Sequence, residues 1–100
     1  MMTVTEMKEI LFEKLQDEGT SFTKSEINIK KNDNGTYTIV IEGYEHSAFK
    51  MSFEKDDYFG FIVWVYDSFE ESNIIFLDSK KDYDIKRALI QLGYHIGSTF

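Results

Sequence analysis

The sequence predicts a single α+β domain over residues 1–100, in which an N-terminal helix, a five-stranded antiparallel meander and a C-terminal helix follow one another. Apolar residues recur at helical spacing near both ends of the chain, whereas between the ends they alternate with polar residues. The connections between the alternating segments are short, so strands adjacent in sequence are expected to pair antiparallel. With 42% hydrophobic residues, the chain has enough apolar material for one core.

The first element is a helix predicted over residues 4–18. Thr3 and Glu6 have the spacing of a capping box, in which each side chain accepts a hydrogen bond from the backbone N–H of the other residue. Apolar residues then follow at helical spacing, namely Val4, Met7, Leu11 and Leu15. Gly19 is well placed to be the left-handed residue that ends this helix.

Three alternating segments predict the first three strands, in residues 27–30, 36–42 and 48–53. Between the first two lie Asn34 and Gly35. This dipeptide favours a two-residue type I′ hairpin turn, because such a turn needs positive φ at both central positions.

The fourth strand, predicted over residues 58–66, is apolar on both faces. Its two sets of alternating residues are Phe59, Phe61, Val63 and Val65 on one face, and Tyr58, Ile62, Trp64 and Tyr66 on the other. Since successive side chains of a strand point to opposite sides, this strand needs two apolar surroundings. A short fifth strand is predicted over residues 74–77.

A closing helix is predicted from an apolar stripe made of Ile85, Ala88, Leu89, Leu92 and Ile96. Ser79 and Asp82 have the spacing of a capping box at its start. Gly93 is predicted to stop the helix. The residues expected in the core of the domain are Leu11, Ile39, Phe61, Val63 and Leu89.

Two helices, each about 10 Å across, cover one face of a five-stranded sheet about 24 Å wide. If both helices pack on the same side, Ile62, Trp64 and Tyr66 lie on the open face. A sheet twisted into a half-barrel, or helices on opposite faces, would instead bury Trp64 in the core. The sequence alone leaves these arrangements open.

An apolar patch rimmed by acids indicates a surface for association, and Trp and Tyr dominate binding hot spots. The predicted partner-binding residues are therefore the aromatic and apolar residues of the open face and the nearby acids: Tyr58, Ile62, Trp64, Tyr66, Asp56, Asp57, Glu70 and Glu71. They would bind either a different protein or a second copy of the chain.

The chain is acidic, with a net charge of −7, and residues 54–84 alone carry −6. Such a field repels phosphate groups and attracts basic partners. Direct binding to nucleic acid or to an anionic membrane is therefore not expected, and no apolar run reaches the roughly 18 residues that a membrane helix needs. The favoured partner is a protein, and a basic one fits the charge.

No pattern in the sequence predicts catalysis, a cofactor or a metal site. The chain has no cysteine, and His46 and His95 lack further ligands at metal-binding spacing. The acids near Asp82 suit the start of a helix better than a calcium loop, because the glycine of such a loop is missing. We therefore expect a protein that is not an enzyme.

The leading hypothesis is a non-enzymatic, acidic protein-binding module, such as an inhibitor or immunity-type protein acting on a basic protein target. The alternative is a homodimeric structural or chaperone-like protein that associates through the face of Trp64. A small apolar-ligand binder or enzyme is the third candidate. The lack of cysteine and of a secretory signal suits a cytoplasmic protein, and the many Lys, Ile and Asn residues suit a bacterial or phage genome.

Overall fold

The computed structural model describes the backbone of most of the chain, namely residues 2–44, 48–56, 60–67, 72–77 and 82–99. Its side chains are described over residues 2–44, 48–52 and 84–98. The elements, in chain order, are α1 (Val4–Asp17), a 3₁₀ turn (Lys24–Glu26), β1 (Ile27–Lys31), β2 (Tyr37–Ile41), β3 (Ala48–Asp56), β4 (Gly60–Asp67), β5 (Ser72–Leu77) and α2 (Asp82–Thr99). The predicted α+β class is confirmed: along the chain, an N-terminal helix is followed by an antiparallel sheet and then by a C-terminal helix.

The N-terminal helix begins as its sequence predicts. The Thr3 hydroxyl accepts a hydrogen bond from the Glu6 backbone N–H at 3.1 Å, and the Glu6 carboxylate accepts one from the Thr3 backbone N–H at 3.2 Å. Gly19 follows the end of the helix with φ of 80°. Met7, Leu11 and Leu15 line the buried side of the helix. The local signals at both ends therefore set the length of α1.

The strands pair antiparallel with their sequence neighbours, in the order β1-β2-β3-β4-β5. In the register, Ile39 of β2 pairs with Ile29 of β1 on one side and with Phe49 of β3 on the other. Each connection is too short for a crossover, so antiparallel pairing is the arrangement open to these strands. Residues 58 and 59 of the predicted fourth strand lie outside the described residues.

The turn between β1 and β2 differs from the predicted two-residue type I′ turn. The Gly35 backbone N–H donates to the Asn32 carbonyl at 3.1 Å, so the central residues of this turn are Asp33 and Asn34. Gly35 follows them with φ of 84°, and the Asn32 N–H donates to the Thr36 carbonyl at 2.8 Å. This is a three-residue hairpin loop with glycine at its left-handed position.

Both helices pack on the same face of the sheet, α1 near β1 and α2 near β4 and β5. Their buried side chains join those of the sheet and the loops in one cluster, made of Met7, Leu11, Leu15, Phe22, Ile27, Tyr37, Ile39, Ile41, Tyr44, Phe49, Met51, Ile85, Ala88, Leu89, Leu92 and Ile96. Leu11, Ile39 and Leu89 are buried as predicted. The side chains of Phe61 and Val63 lie outside those described.

The prediction that Gly93 stops the second helix is wrong, because α2 continues to Thr99. A Cβ atom at Gly93 would lie 2.6 Å from Lys14 Cγ, and one at Gly97 would lie 2.5 Å from Glu18 Cβ. These two glycines therefore let α2 approach α1 closely. Because Lys14 lies near Gly93 and Glu18 lies near Gly97, the two helices run parallel.

Candidate protein-interaction face

The sheet face remote from the helices, called the outer face below, begins with alternate residues of β2 and β3. The residues between them, such as Ile39 and Met51, are fully buried beneath the helices. The outer-face residues of the two strands are Thr38, Val40, Ala48, Lys50 and Ser52. Lys50 is exposed and the other four are half-buried, so alternation along the strands separates two different surroundings.

The register between β3 and β4 extends the outer face to the strand that is apolar on both sides. Trp64 pairs with Ser52, and Tyr66 pairs with Lys50. Residues directly opposite each other in an antiparallel ladder share a face. Trp64 and Tyr66 are therefore at outer-face positions, whereas Val65 pairs with the buried Met51 and is at a position of the helix-covered face.

Two further register pairs complete this face. Ile62 is opposite Glu54 on β3, and Trp64 is opposite Phe76 on β5. Phe76 therefore joins the row of Ser52 and Trp64. Sequence reasoning missed it because the run 74–77 is apolar throughout and carries no alternation that would assign its faces. A register shift between Val65 and Tyr66 also changes the pairing of β5, and it has no signal in the sequence.

The predicted acidic rim is described only in part. Asp56 ends β3, where it pairs with Gly60 at the start of β4. Four other predicted partner-binding residues lie outside the described residues: Asp57, Tyr58, Glu70 and Glu71. Ile62, Trp64 and Tyr66 are thus the predicted site residues that the register brings together on one face.

Charge on the outer face is divided along the strands. Lys30 and Lys50 belong to one row of the register, through Thr38 between them. Glu54 lies two residues beyond Ser52 on β3, and Asp56 two residues further. Within the strands, the positions of Lys30 and Lys50 thus lie on one side of the row of Trp64, and the positions of Glu54 and Asp56 lie on the other side.

One histidine, His95, is among the side chains that the structure describes. His95 is half-buried, with its ring 6.4 Å from the Phe49 ring in an edge-to-face contact. No group of three or more potential metal ligands occurs among the described residues, and His46 lies outside them.

One buried carboxylate belongs to Asp84 in the first turn of α2, where negative charge suits the helix dipole. Its Oδ1 lies 3.4 Å from Arg87 Nη1, and its Oδ2 has no hydrogen-bond partner in the described part of the chain.

Comparison of the chain with family models, with curated proteins and with solved structures gives no match. Within the described ranges, neither helix has the length and apolar character needed to cross a membrane. The outer face is therefore the feature from which a function is best argued.

Proposed function

We propose that the protein is a non-enzymatic protein-binding module whose binding surface is the outer face of its sheet. One observation carries the proposal: the register aligns Trp64 with Ser52, and Tyr66 with the exposed Lys50, on the face that the helices leave open. Trp and Tyr supply large contact areas and are enriched among the residues that dominate binding energies.

The placement of the helices supports this surface. The buried side chains of α1 and α2 belong to the cluster on the opposite face, and no described helix or strand lies over the outer face. Val40, Ile62 and Trp64 are at outer-face positions. Apolar area at such positions would be removed from water by association with another protein. Antiparallel pairing of β3 with β4 holds Ile62 and Trp64 in the sheet.

The overall charge supports a basic protein as the partner. The chain carries −7 in total, with −6 between residues 54 and 84. An inhibitor or immunity-type protein with such a field would gain association rate against a basic target, such as a nucleic-acid-binding protein. A cytoplasmic setting would suit a binding protein without cysteine.

Self-association is the second candidate, favoured by the charge of the outer face itself. Its lysines and acids lie at opposite ends, with Lys30 and Lys50 balanced by Glu54 and Asp56. A face of balanced charge attracts a strongly basic target less than the net charge of the chain suggests. It suits a partner whose surface carries the same two signs in reverse order.

The third candidate, a small apolar-ligand binder or enzyme, has less support. One described cleft lies between α1 and α2 and is lined by Ile10, Glu13, Lys14, Asp17, Lys86 and Ile90. Apolar ligands bind in enclosed, mainly apolar pockets with a few polar groups. A cleft with four charged residues among six does not fit that pattern.

The proposal is tested with Trp64→Ser and a matched control, Tyr94→Ser, which removes an aromatic residue that is 59% exposed on α2. Each purified chain is immobilised, and the proteins captured from an extract of the source cell are identified. Partners of the wild type should be retained by Tyr94→Ser and lost by Trp64→Ser, while circular dichroism shows that both variants are folded. Unchanged capture by Trp64→Ser, or its unfolding, would contradict the proposal.

A further inference from the structure

We infer that the outer face is occupied by a second copy of this chain, packed face to face about a two-fold axis along the row of Ser52, Trp64 and Phe76. This inference rests on the proposed function, since it takes the outer face as the binding surface and names its occupant. It follows from where the register places charges and apolar residues relative to that row.

A two-fold rotation about an axis parallel to the row places each strand over the same strand of the second copy. The rotation also reverses the direction of that strand. On β3, Lys50 lies two residues before Ser52, and Glu54 lies two residues after it. The rotation therefore brings the position of Lys50 in one copy opposite the position of Glu54 in the other. Because the interface is isologous, this pairing of opposite charges occurs twice.

The same rotation matches the residues of β4. Trp64 lies beside the axis, so the two tryptophan positions meet each other. Tyr66 and Ile62 lie two residues to either side of Trp64, so each meets the other in the second copy. Apolar and aromatic positions thus form the centre of the contact, with the two charged pairs beside them, which is the usual anatomy of a protein interface.

The twist of the sheets leaves this pairing in place near the axis. Stacked sheets cross at about 30°, and two residues along a strand span about 7 Å. The rotation therefore displaces the Lys50 and Glu54 positions by only about 3–4 Å, and a lysine side chain reaches further than that. Residues on the distant strand β1 are displaced more.

The size of the face is adequate for a dimer. The sheet is about 24 Å wide, and β3, its longest strand, has nine residues and spans about 30 Å. Such a surface is of the order of the ~800 Å² per partner that stable protein interfaces bury.

The net charge of the whole chain attracts basic proteins, but the charges at the outer face itself favour a second copy. A basic partner meets Lys30 and Lys50 at one end of the face, and like charges across an interface oppose binding. A second copy in the reversed direction instead places its Glu54 position opposite Lys50, and its Lys50 position opposite Glu54. A second copy of the chain thus supplies the charges that complement Lys50 and Glu54.

The test is a charge exchange followed by sedimentation velocity over a wide range of protein concentration. The wild type should dimerise, and Lys50→Glu or Glu54→Lys alone should raise the dimer dissociation constant about tenfold, because each places two like-charged pairs in the contact. The double variant, which carries both changes, should return it to within about threefold of the wild type.

Lys30→Glu is the matched control, since Lys30 is an exposed lysine in the same row but has no partner across the axis. It should change the constant less than threefold. A wild type that stays monomeric at millimolar concentration, single variants without effect, or a double variant that fails to restore dimerisation would each overturn the inference. A monomeric wild type whose protein partner is lost only in Trp64→Ser would identify a different occupant and leave the proposed function standing.

Discussion

Ile39 and Val40 are neighbours on β2, but Ile39 is fully buried beneath the helices and Val40 is half-buried on the outer face. The same contrast separates Met51 from Ser52 on β3. Alternate residues of one strand thus face two different environments. The helices α1 and α2 cover one of these two faces. The comparison teaches that apolar residues beyond the alternating pattern, such as Trp64, have to be explained by the second environment.

The largest expected effect separates the two faces directly. Ile39→Ala should lower the free energy of unfolding by about 2–5 kcal/mol, because it leaves a cavity in a closed core. Val40→Ala should cost less than about 1 kcal/mol, since the removed atoms are partly hydrated. Urea unfolding at low protein concentration measures both, and equal losses would show that the outer face is as buried as the inner one.

A second prediction concerns the helix layer that closes the inner face. Gly93→Ala should destabilise the domain by about 1–2 kcal/mol in urea unfolding. The new Cβ would overlap Lys14 and force α1 and α2 apart, which typically costs 1–3 kcal/mol, while the better helix propensity of alanine returns about 0.5–1 kcal/mol.

Ser98→Ala on the exposed side of α2 is the control for this variant, and it should stay within about 0.5 kcal/mol of the wild type. If Gly93→Ala proved stabilising, the helices would not pack as closely as the structure has them.

A smaller effect is expected at the start of α1, away from both faces. Thr3→Ala removes the hydroxyl that accepts from the Glu6 N–H and should cost about 1 kcal/mol. Thr5→Ala, two residues further on and also exposed, should be neutral or slightly stabilising because alanine favours a helix. Thermal unfolding of the two variants distinguishes a cap from a general preference for threonine.

The smallest expected effect is a change of stability at alkaline pH. A hydrogen bond to the Glu18 carboxylate, at 2.8 Å, raises the pKa of Lys14 above its ordinary value. The contribution of this interaction to stability is fully present below the ordinary pKa of lysine. It is lost as the pH rises through the raised pKa of Lys14. Lys14→Met should therefore be slightly less stable than the wild type at pH 8, and the difference should vanish in strong alkali. A constant difference in melting temperature would contradict this.

Local signals allowed the ends of α1 to be predicted, because the bonds of Thr3 with Glu6 and the left-handed Gly19 depend only on nearby residues. Gly93 could not be assigned in this way. Glycine after an apolar stripe predicts a helix end, but here Lys14 of another helix needs the space that a side chain would fill. Similarly, Asn34 and Gly35 predicted a hairpin at the right place, but the two-residue type I′ turn that they favour was wrong. The pairing of Asn32 with Thr36 leaves a three-residue loop between the strands.

The central residues of the outer face, Ile62, Trp64 and Tyr66, were identified from the sequence, because residues 58–66 are apolar at both alternating sets of positions. The register between the strands of this face was not predicted. The alignment of Trp64 with Ser52 and Phe76, and hence the place of Lys50 and Glu54 on either side of that row, depends on how the strands pair. Such non-local pairing is set by packing rather than by any one segment.

Quenching of tryptophan fluorescence by acrylamide tests the outer face most directly, because Trp64 is the only tryptophan of the chain. We predict strong quenching in dilute solution, where the folded monomer leaves this face open. Quenching should weaken as the concentration rises through the range of dimer formation, and Lys50→Glu should move that change to higher concentration. Weak quenching at every concentration would place Trp64 in the core of the monomer and contradict the assignment of the outer face.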